Sequence, residues 1–290
     1  MENDSKIIPW EKVPFSNKFM FYKVMTDNPD LCRRLLETLL HVEIDHIERP
    51  SGEYTVAPAL NAHGIRLDVY VHGTDSVYDL EIQVADTKNL PERTRYYQGI
   101  MDETELNAGT DYSSLKTNYI MFLCLFDLFG KGLPVYTFQN RCNEDTDLLL
   151  NDRTYKMFYN ITGWEQVLDE EERALFQFIL DGQARSEFTE ALSSHVHKAQ
   201  LSPQARQAYM TWEQELKEEA QRRAEKIAPA IAEGMAKDMA QDMAKDIAKD
   251  MAKETAKETA RKMLSYGDSI EKIADITQLS VKEIQALQNA

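Results

Sequence analysis

The chain is poor in cysteine. Only Cys32, Cys124 and Cys142 occur in 290 residues, and no two are spaced C-x-x-C. That excludes a disulfide framework and a thiolate zinc site of the ribbon or finger type. Two of the three lie in apolar runs, where buried, reduced thiols of a cytoplasmic protein are expected. Long hydrophobic runs are absent as well. The longest, Tyr119 to Phe126, stops at Asp127 and is far too short to span a bilayer. The opening Met1-Glu2-Asn3-Asp4-Ser5-Lys6 is acidic and polar, with no apolar signal-peptide core. Basic excess is also missing: 33 Lys and Arg stand against 49 Asp and Glu, a net charge of −16. Residues 1–200 carry 19 basic against 33 acidic side chains, and residues 201–290 carry 14 against 16. The acidic excess of the first 200 residues excludes broad, non-specific attraction to nucleic acid, but not a local basic groove. No Gly-rich phosphate loop, G-x-S-x-G or H-E-x-x-H is present. His195 and His197 are two apart, so on a helix they share no face and make no metal pair.

What is present centres on Gly64-Ile-Arg-Leu-Asp-Val-Tyr-Val71 and Tyr78-Asp-Leu-Glu-Ile-Gln-Val84. Both alternate polar and apolar residues with a period of two, the pattern of half-buried strands. The turn-forming run His72 to Val77 joins them into an antiparallel hairpin flanked by His63 and His72. A turn centred on Thr74 and Asp75 puts Asp68 opposite Glu81 and Arg66 opposite Gln83, with Leu67, Val69, Leu80 and Ile82 on the other face. Opposed side chains have Cβ atoms about 4.5–5.5 Å apart, and a like-charged pair at that distance is destabilising. A shared divalent cation would compensate, because hard cations such as Mg²⁺ take oxygen ligands and activate water beside a phosphate. The hairpin alone is also consistent with a solvated polar face in which Arg66 neutralises the acids.

Phe15 to His41 reads as helix with a break at Asn28-Pro29. Val42 to Arg49 alternates like a strand, and Glu53 to Leu60 could pair back after the Pro50-Ser51-Gly52 turn. A helix is expected over Glu92–Ala108, ended by Gly109. Asn118–Phe126 reads as a buried central strand, Leu133–Gln139 and Thr154–Tyr159 as further strands, and Trp164–Leu180 and Ala184–His197 as helices. Strands interleaved with helices mean an α/β architecture. From Ser202-Pro203 the chain becomes a long helical arm. Its tetrads, Met235-Ala-Lys-Asp through Met251-Ala-Lys-Glu, advance their Met/Ile stripe about 40° per repeat, so a heptad coiled coil is disfavoured. A solvated arm stabilised by i,i+3 acid–base pairs and a Met-lined self-association surface both remain open. Pro229 and Gly234 are expected to kink or interrupt it. The end reads as two short helices in a helix-turn-helix-like pair, with Asp268 and Ser280 as N-caps. The expected domains are 1–200, the arm at 201–264 and the terminal pair at 265–290.

Five blocks in order, Asn17–Met25 (NKFMFYKVM), Gly64–Tyr70 (GIRLDVY), Asp79–Gln83 (DLEIQ), Leu90–Asp102 (LPERTRYYQGIMD) and Phe122–Lys131 (FLCLFDLFGK), carry a resemblance to a known family. The chain resembles the Rpn family of recombination-promoting nucleases, also described as transposases of the PD-(D/E)XK nuclease superfamily. The resemblance implies a restriction-endonuclease-like core, a mixed central sheet flanked by helices, followed here by a long C-terminal helical arm. It implies Mg²⁺-dependent endonucleolytic hydrolysis of DNA phosphodiesters, with Mn²⁺ a possible substitute. By motif position it makes Asp68 and Glu81 the metal ligands, with the carbonyl of Ile82 as a further ligand. Gln83 stands where many superfamily members carry lysine; it can orient water but supplies no charge. Arg93, Arg95 and Tyr97 on the following helix are the residues that would contact the scissile phosphate. Relatives often carry an acid on the first helix near Asn17 or Lys18; neither is acidic here, which points to one metal site rather than two. DNA is the expected partner, with self-association through the arm and no membrane. A different class of function also fits: a catalytically weak nuclease-fold protein that binds DNA or a partner and oligomerises through its tail. Strand joining by a transposase is a third reading that no residue separates from cutting.

Overall fold

The computed structural model describes residues 8–48, 50–56, 65–106 and 109–288; for 51–56, 65–67 and scattered positions between 219 and 236 only the backbone is described. By its packing the chain divides into two units, Met1–Trp212 and Glu213–Ala290. The first is built on a six-stranded mixed sheet in the order β1-β2-β3-β4-β6-β5. Its strands are β1 (Ser51–Val56), β2 (Ile65–His72), β3 (Ser76–Gln83), β4 (Thr117–Cys124), β5 (Val135–Phe138) and β6 (Thr154–Asn160). β1, β2 and β3 run antiparallel in turn, β3, β4 and β6 run parallel, and β5 returns antiparallel to β6.

Helices cover both faces of the sheet, as parallel strands require. One face carries Val69, Val71, Leu80, Ile82, Met121 and Leu123, and it packs against α1 (Lys18–Asp27), α2 (Pro29–Leu40), α4 (Glu170–Asp181) and α5 (Glu187–Leu201) through Met20, Leu35, Phe176 and Phe188. The other face carries Tyr70, Val77, Ile120, Phe122 and Phe158, and it is covered by α3 (Leu90–Glu105) through Leu90, Tyr97, Ile100 and Met101. The period-two alternation of β3 therefore sends Leu80 and Ile82 to the α1 side. It sends Val77, Asp79, Glu81 and Gln83 to the α3 side, and every residue from Val77 to Gln83 is buried.

Local signals set the helix ends. Asn17 Oδ1 accepts from the backbone N–H groups of Phe19 and Met20, capping α1. Pro29 sits at the start of α2, where its missing N–H costs nothing. Asp169 caps α4, and Ser186 with Thr189 forms a capping box on α5. Asp169 also explains why Trp164–Leu180 is not one helix. Residues Ile161–Gln166 form a 3₁₀ segment, Arg173 ties down the Val167 and Leu168 carbonyls, and α4 starts afresh after the cap. The strand expected over Val42–Arg49 does not form over the described residues 42–48, which make one isolated bridge, Ile47 to Gly73. There Ile44 and Ile47 are both buried three residues apart, and Glu37 and Arg33 bind the backbone of Ile44 that a neighbouring strand would need. The helix expected over Glu92–Ala108 is α3 and ends at Glu105. Of Glu53–Leu60, expected to pair back on the preceding segment, residues 53–56 lie in β1, which pairs with β2 instead; residues 57–64, with His63 and Gly64, and Ala108 lie outside the described residues, as do the first seven. Cys32 and Cys124 are buried free thiols and Cys142 is partly exposed. No helix among the described residues is long and apolar enough to cross a membrane.

A single helix, α6 (Pro203–Ser265), carries the chain through the tetrads. It passes through Pro229 without the interruption expected as one alternative there. Proline removes one hydrogen bond, a local cost of about 3 kcal/mol, and the long runs of Ala, Glu, Lys and Arg on both sides sustain the helix. In the second unit Met239, Met243, Ile247 and Met251 are exposed, while Asp242–Lys245 and Glu254–Lys257 pair at 3.4 and 3.0 Å. Its core is small: Ala260, Ile273, Leu279 and Ile284 bring the end of α6 against α7 (Ile270–Thr277) and α8 (Val281–Gln288). Ser269 caps α7, in place of the expected Asp268, whose carboxylate instead takes the Lys272 ammonium at 2.7 Å. Ser280 and Glu283 bind reciprocally at the start of α8.

Leu80 lies directly behind the acidic face and is fully buried. Leu80→Ala is expected to lower unfolding stability by about 2–5 kcal/mol, read as a lower denaturant midpoint with an unchanged slope.

Candidate active site

The β2–β3 ladder pairs His72 with Val77, Val71 with Tyr78, Tyr70 with Asp79 and Val69 with Leu80. The next pair in that register is Asp68 with Glu81, and there the hairpin changes character. Asp68 N–H donates to Glu81 Oε1 at 3.3 Å, and Ile82 N–H donates to Asp68 Oδ2 at 3.2 Å. Carboxylates take the place of backbone carbonyls, so the two acids are held by the strands they stand on. Glu81 is fully buried, and the Asp68 side chain is 12% exposed.

Two anions so close in a buried site require positive charge, and two helices deliver it. Lys18, the first residue of α1, places Nζ 3.4 Å from both carboxylate oxygens of Asp68 and 3.9 Å from Glu81 Oε2. From α3, Arg93 Nη2 donates to Glu81 Oε2 at 2.9 Å. The Arg93 guanidinium also lies over the rings of Tyr97 and Phe122, at 5.2 and 5.4 Å, and donates to the Tyr97 hydroxyl. Gln83 Nε2 adds a second donor to Glu81 Oε2 at 3.2 Å.

The titration behaviour follows from this crowding. Burial first, and then the charge of Asp68, push the Glu81 carboxyl up from its usual 4.5 to about 7, against the pull of Lys18 and Arg93. Burial works against the charge of Lys18, but Asp68 and Glu81 outweigh it and hold the ammonium above its ordinary value. Arg93 is raised in the same way: burial opposes its charge and Glu81 overrides it. Burial and the Glu81 charge raise the Tyr97 phenol.

The structure thus brings together Asp68, Glu81, Gln83, Arg93 and Tyr97 of the residues singled out from sequence. Ile82 joins through its backbone N–H. Arg95 does not join them: it is exposed and lines a separate cavity beside α3. The Arg66 side chain is not described. Asn17 spends its oxygen on the α1 cap. His72 bonds Glu105 at 3.1 Å and His195 bonds the Ala191 carbonyl at 2.9 Å, so both have local roles away from the acids.

Two participants were not found from sequence. Lys18 was weighed only as a position lacking an acid, and nothing local announces that its ammonium reaches across fifty residues to Asp68. Asp79 could have been found. It sits two residues before Glu81, so the strand period puts it on the same face. It is fully buried, neither of its oxygens has a hydrogen-bond partner among the described residues, and burial followed by the charges of Glu81 and Asp68 raises its carboxyl well above the ordinary range.

The residues present fit a divalent cation. Lys18 Nζ already stands as a positive group held by both Asp68 and Glu81. Two carboxylates suit Mg²⁺, which keeps several of its waters. Among the described residues no group of three or more His, Cys, Asp or Glu converges to hold an ion, so solvent and substrate oxygens would complete the shell.

Residues 14–226 match the family model described as PD-(D/E)XK nuclease family transposase. No curated protein and no solved structure gives a significant match to the chain.

A raised carboxyl stabilises the fold fully below its unfolded value, and that contribution is lost as pH rises through the folded value. For Glu81 the window runs from about 4.5 to about 7, and Asp79 acts in the same direction. The melting temperature of the metal-free protein is therefore expected to fall between pH 5 and pH 8. Asp79→Asn should raise it at pH 8 and flatten the profile. A melting temperature that climbs over this range in the parent protein would contradict the raised carboxyls of Glu81 and Asp79.

Proposed function

Because the chain belongs to the PD-(D/E)XK nuclease family transposases, we propose that it is a divalent-metal-dependent DNA endonuclease that hydrolyses phosphodiesters in recombination or at mobile elements. The observation that carries this reading is the pair Asp68 and Glu81 sharing one positive group, the Lys18 ammonium, in an otherwise buried site. Asp68 and Glu81 are the groups that would hold the metal, Mg²⁺ or Mn²⁺, with the Ile82 backbone beside them. The metal, when bound, supplies Lewis-acid activation of water and neutralises charge on the phosphate.

This chain's own residues divide the remaining work. Arg93 fixes Glu81 Oε2 and is itself held by Tyr97, so the Glu81 carboxylate is oriented before substrate arrives. Gln83 gives its Nε2 to Glu81, which leaves its carbonyl oxygen as an acceptor to align the attacking water. A glutamine brings no charge, and Lys18 brings it instead. Its side chain is 38% exposed, so its ammonium could turn to the phosphate if a divalent cation held the acids. Arg95 contributes a phosphate contact from the surface of α3 rather than at the acids.

One observation favours a second reading. Lys18 and Arg93 already bring positive charge to the acid pair, and the first 200 residues are strongly acidic; both suit a nuclease fold that binds DNA or a partner with little catalysis. Incubation of the protein with plasmid and linear DNA in Mg²⁺, Mn²⁺ or chelator separates the two. Asp68→Ala is expected to lower cleavage about 100-fold or more while the protein stays folded. Mg²⁺ should raise the melting temperature of the parent protein and leave Glu81→Ala unmoved. Equal cleavage by Asp68→Ala, or no Mg²⁺ stabilisation, favours the binding protein.

A further inference from the structure

The acids do not lie alone on their face of the sheet. The ladder pairs Glu81 with Phe122 and Phe122 with Phe158, so the three stand in one row across β3, β4 and β6. Two strand spacings separate the first from the last, about 10 Å. Phe158 forms the floor of a cavity of about 340 Å³ between α3 and the β5–β6 edge, a size that suits a small ligand. Phe129 and Phe138 form its aromatic walls, with ring centroids 5.1 Å apart, and Phe138 is 45% exposed. Arg95 and Lys156 stand at its mouth with the Gln139 amide. Neither cation forms an ion pair with a carboxylate among the described residues. The nearby Asp152 is engaged by the Asn140 amide at 2.6 Å.

An exposed aromatic ring, two cations outside any direct ion pair (Lys156 acts on Asp102 only at longer range) and an amide side chain together complement one ligand chemistry: a planar nitrogenous base attached to phosphate. On an acidic surface, such local positive charge is what a phosphodiester strand would seek. A base inside a duplex is stacked and cannot enter a pocket; only one taken out of the stack can. We propose that this cavity receives an unstacked nucleobase of the substrate strand, one nucleotide or so from the phosphate at Asp68 and Glu81, so that the protein acts on single-stranded or locally unpaired DNA. This assignment rests on the nuclease reading for the neighbouring phosphate, and its own test does not depend on cleavage.

The test is fluorescence anisotropy with the full chain in Ca²⁺, using a labelled 15-nucleotide single strand, the same sequence as duplex, and a strand of abasic nucleotides that keeps every phosphate. The normal single strand should bind about tenfold tighter than the abasic strand and tighter than the duplex. Phe138→Ala should remove most of that advantage, a loss of about tenfold for one stacked base. Arg95→Ala and Lys156→Ala should each reduce the slope of log affinity against log salt by about 0.7. The binding is read without turnover, so a failed nuclease reading would appear as absent cleavage with this binding pattern intact. Equal binding of normal and abasic strands, undiminished binding by Phe138→Ala, or no binding of the single strand overturns the proposal.

Discussion

Everything in the first unit answers to one electrostatic problem: Asp68 and Glu81 are set against each other on neighbouring strands with almost no water to separate them. Water-exposed acids would need no remedy. Buried ones do, because mutual repulsion and loss of solvation act in the same direction. The hairpin answers part of it by giving backbone N–H groups to the carboxylates. The remainder is supplied from a distance by Lys18 at the start of α1 and Arg93 near the start of α3. The two helices lie against opposite faces of the sheet, so the site forms only when both layers are in place.

The packing behind the acids makes that arrangement rigid. Leu80 and Ile82 alternate with Asp79, Glu81 and Gln83 and anchor β3 into the larger core. Phe122 and Tyr97 hold the Arg93 guanidinium between their rings on the other side. The cost concentrates in Asp79, a carboxyl whose oxygens have no hydrogen-bond partner among the described residues and which burial, then the charges of Glu81 and Asp68, raise well above the ordinary range. Under the proposed function, the crowding of Asp68, Glu81 and Asp79 on one face is what a multivalent cation would relieve, because it neutralises more charge at one point than a lysine can.

How far this was legible depends on the range of each interaction. The hairpin, its register and the common face of Asp68, Glu81 and Gln83 follow from a period-two pattern and a short turn, all local. The buried strand at Thr117–Cys124 and the break at Pro29 are local in the same sense. The Val42–Glu48 segment misled because alternation there is accidental: Ile44 and Ile47 are both buried and side chains from α2 take up the backbone. Trp164–Leu180 misled because one aspartate, Asp169, restarts the helix. Lys18 was out of reach because its partner is fifty residues away, and Arg95 was placed with the acids although the turn of α3 directs it to the neighbouring cavity. Family resemblance pointed to the acids; only three-dimensional structure shows which cations meet them.

The metal role proposed for Asp68 and Glu81 requires a divalent ion to take the place that the Lys18 ammonium holds between them. A crystal of the protein soaked in Mn²⁺ and measured at the manganese absorption edge tests it directly. A single anomalous peak about 2.0–2.2 Å from oxygens of both carboxylates, the range of small hard cations, with the Lys18 side chain moved aside, is the predicted result. A saturated crystal with no peak there and Lys18 still clasped by both acids would contradict it.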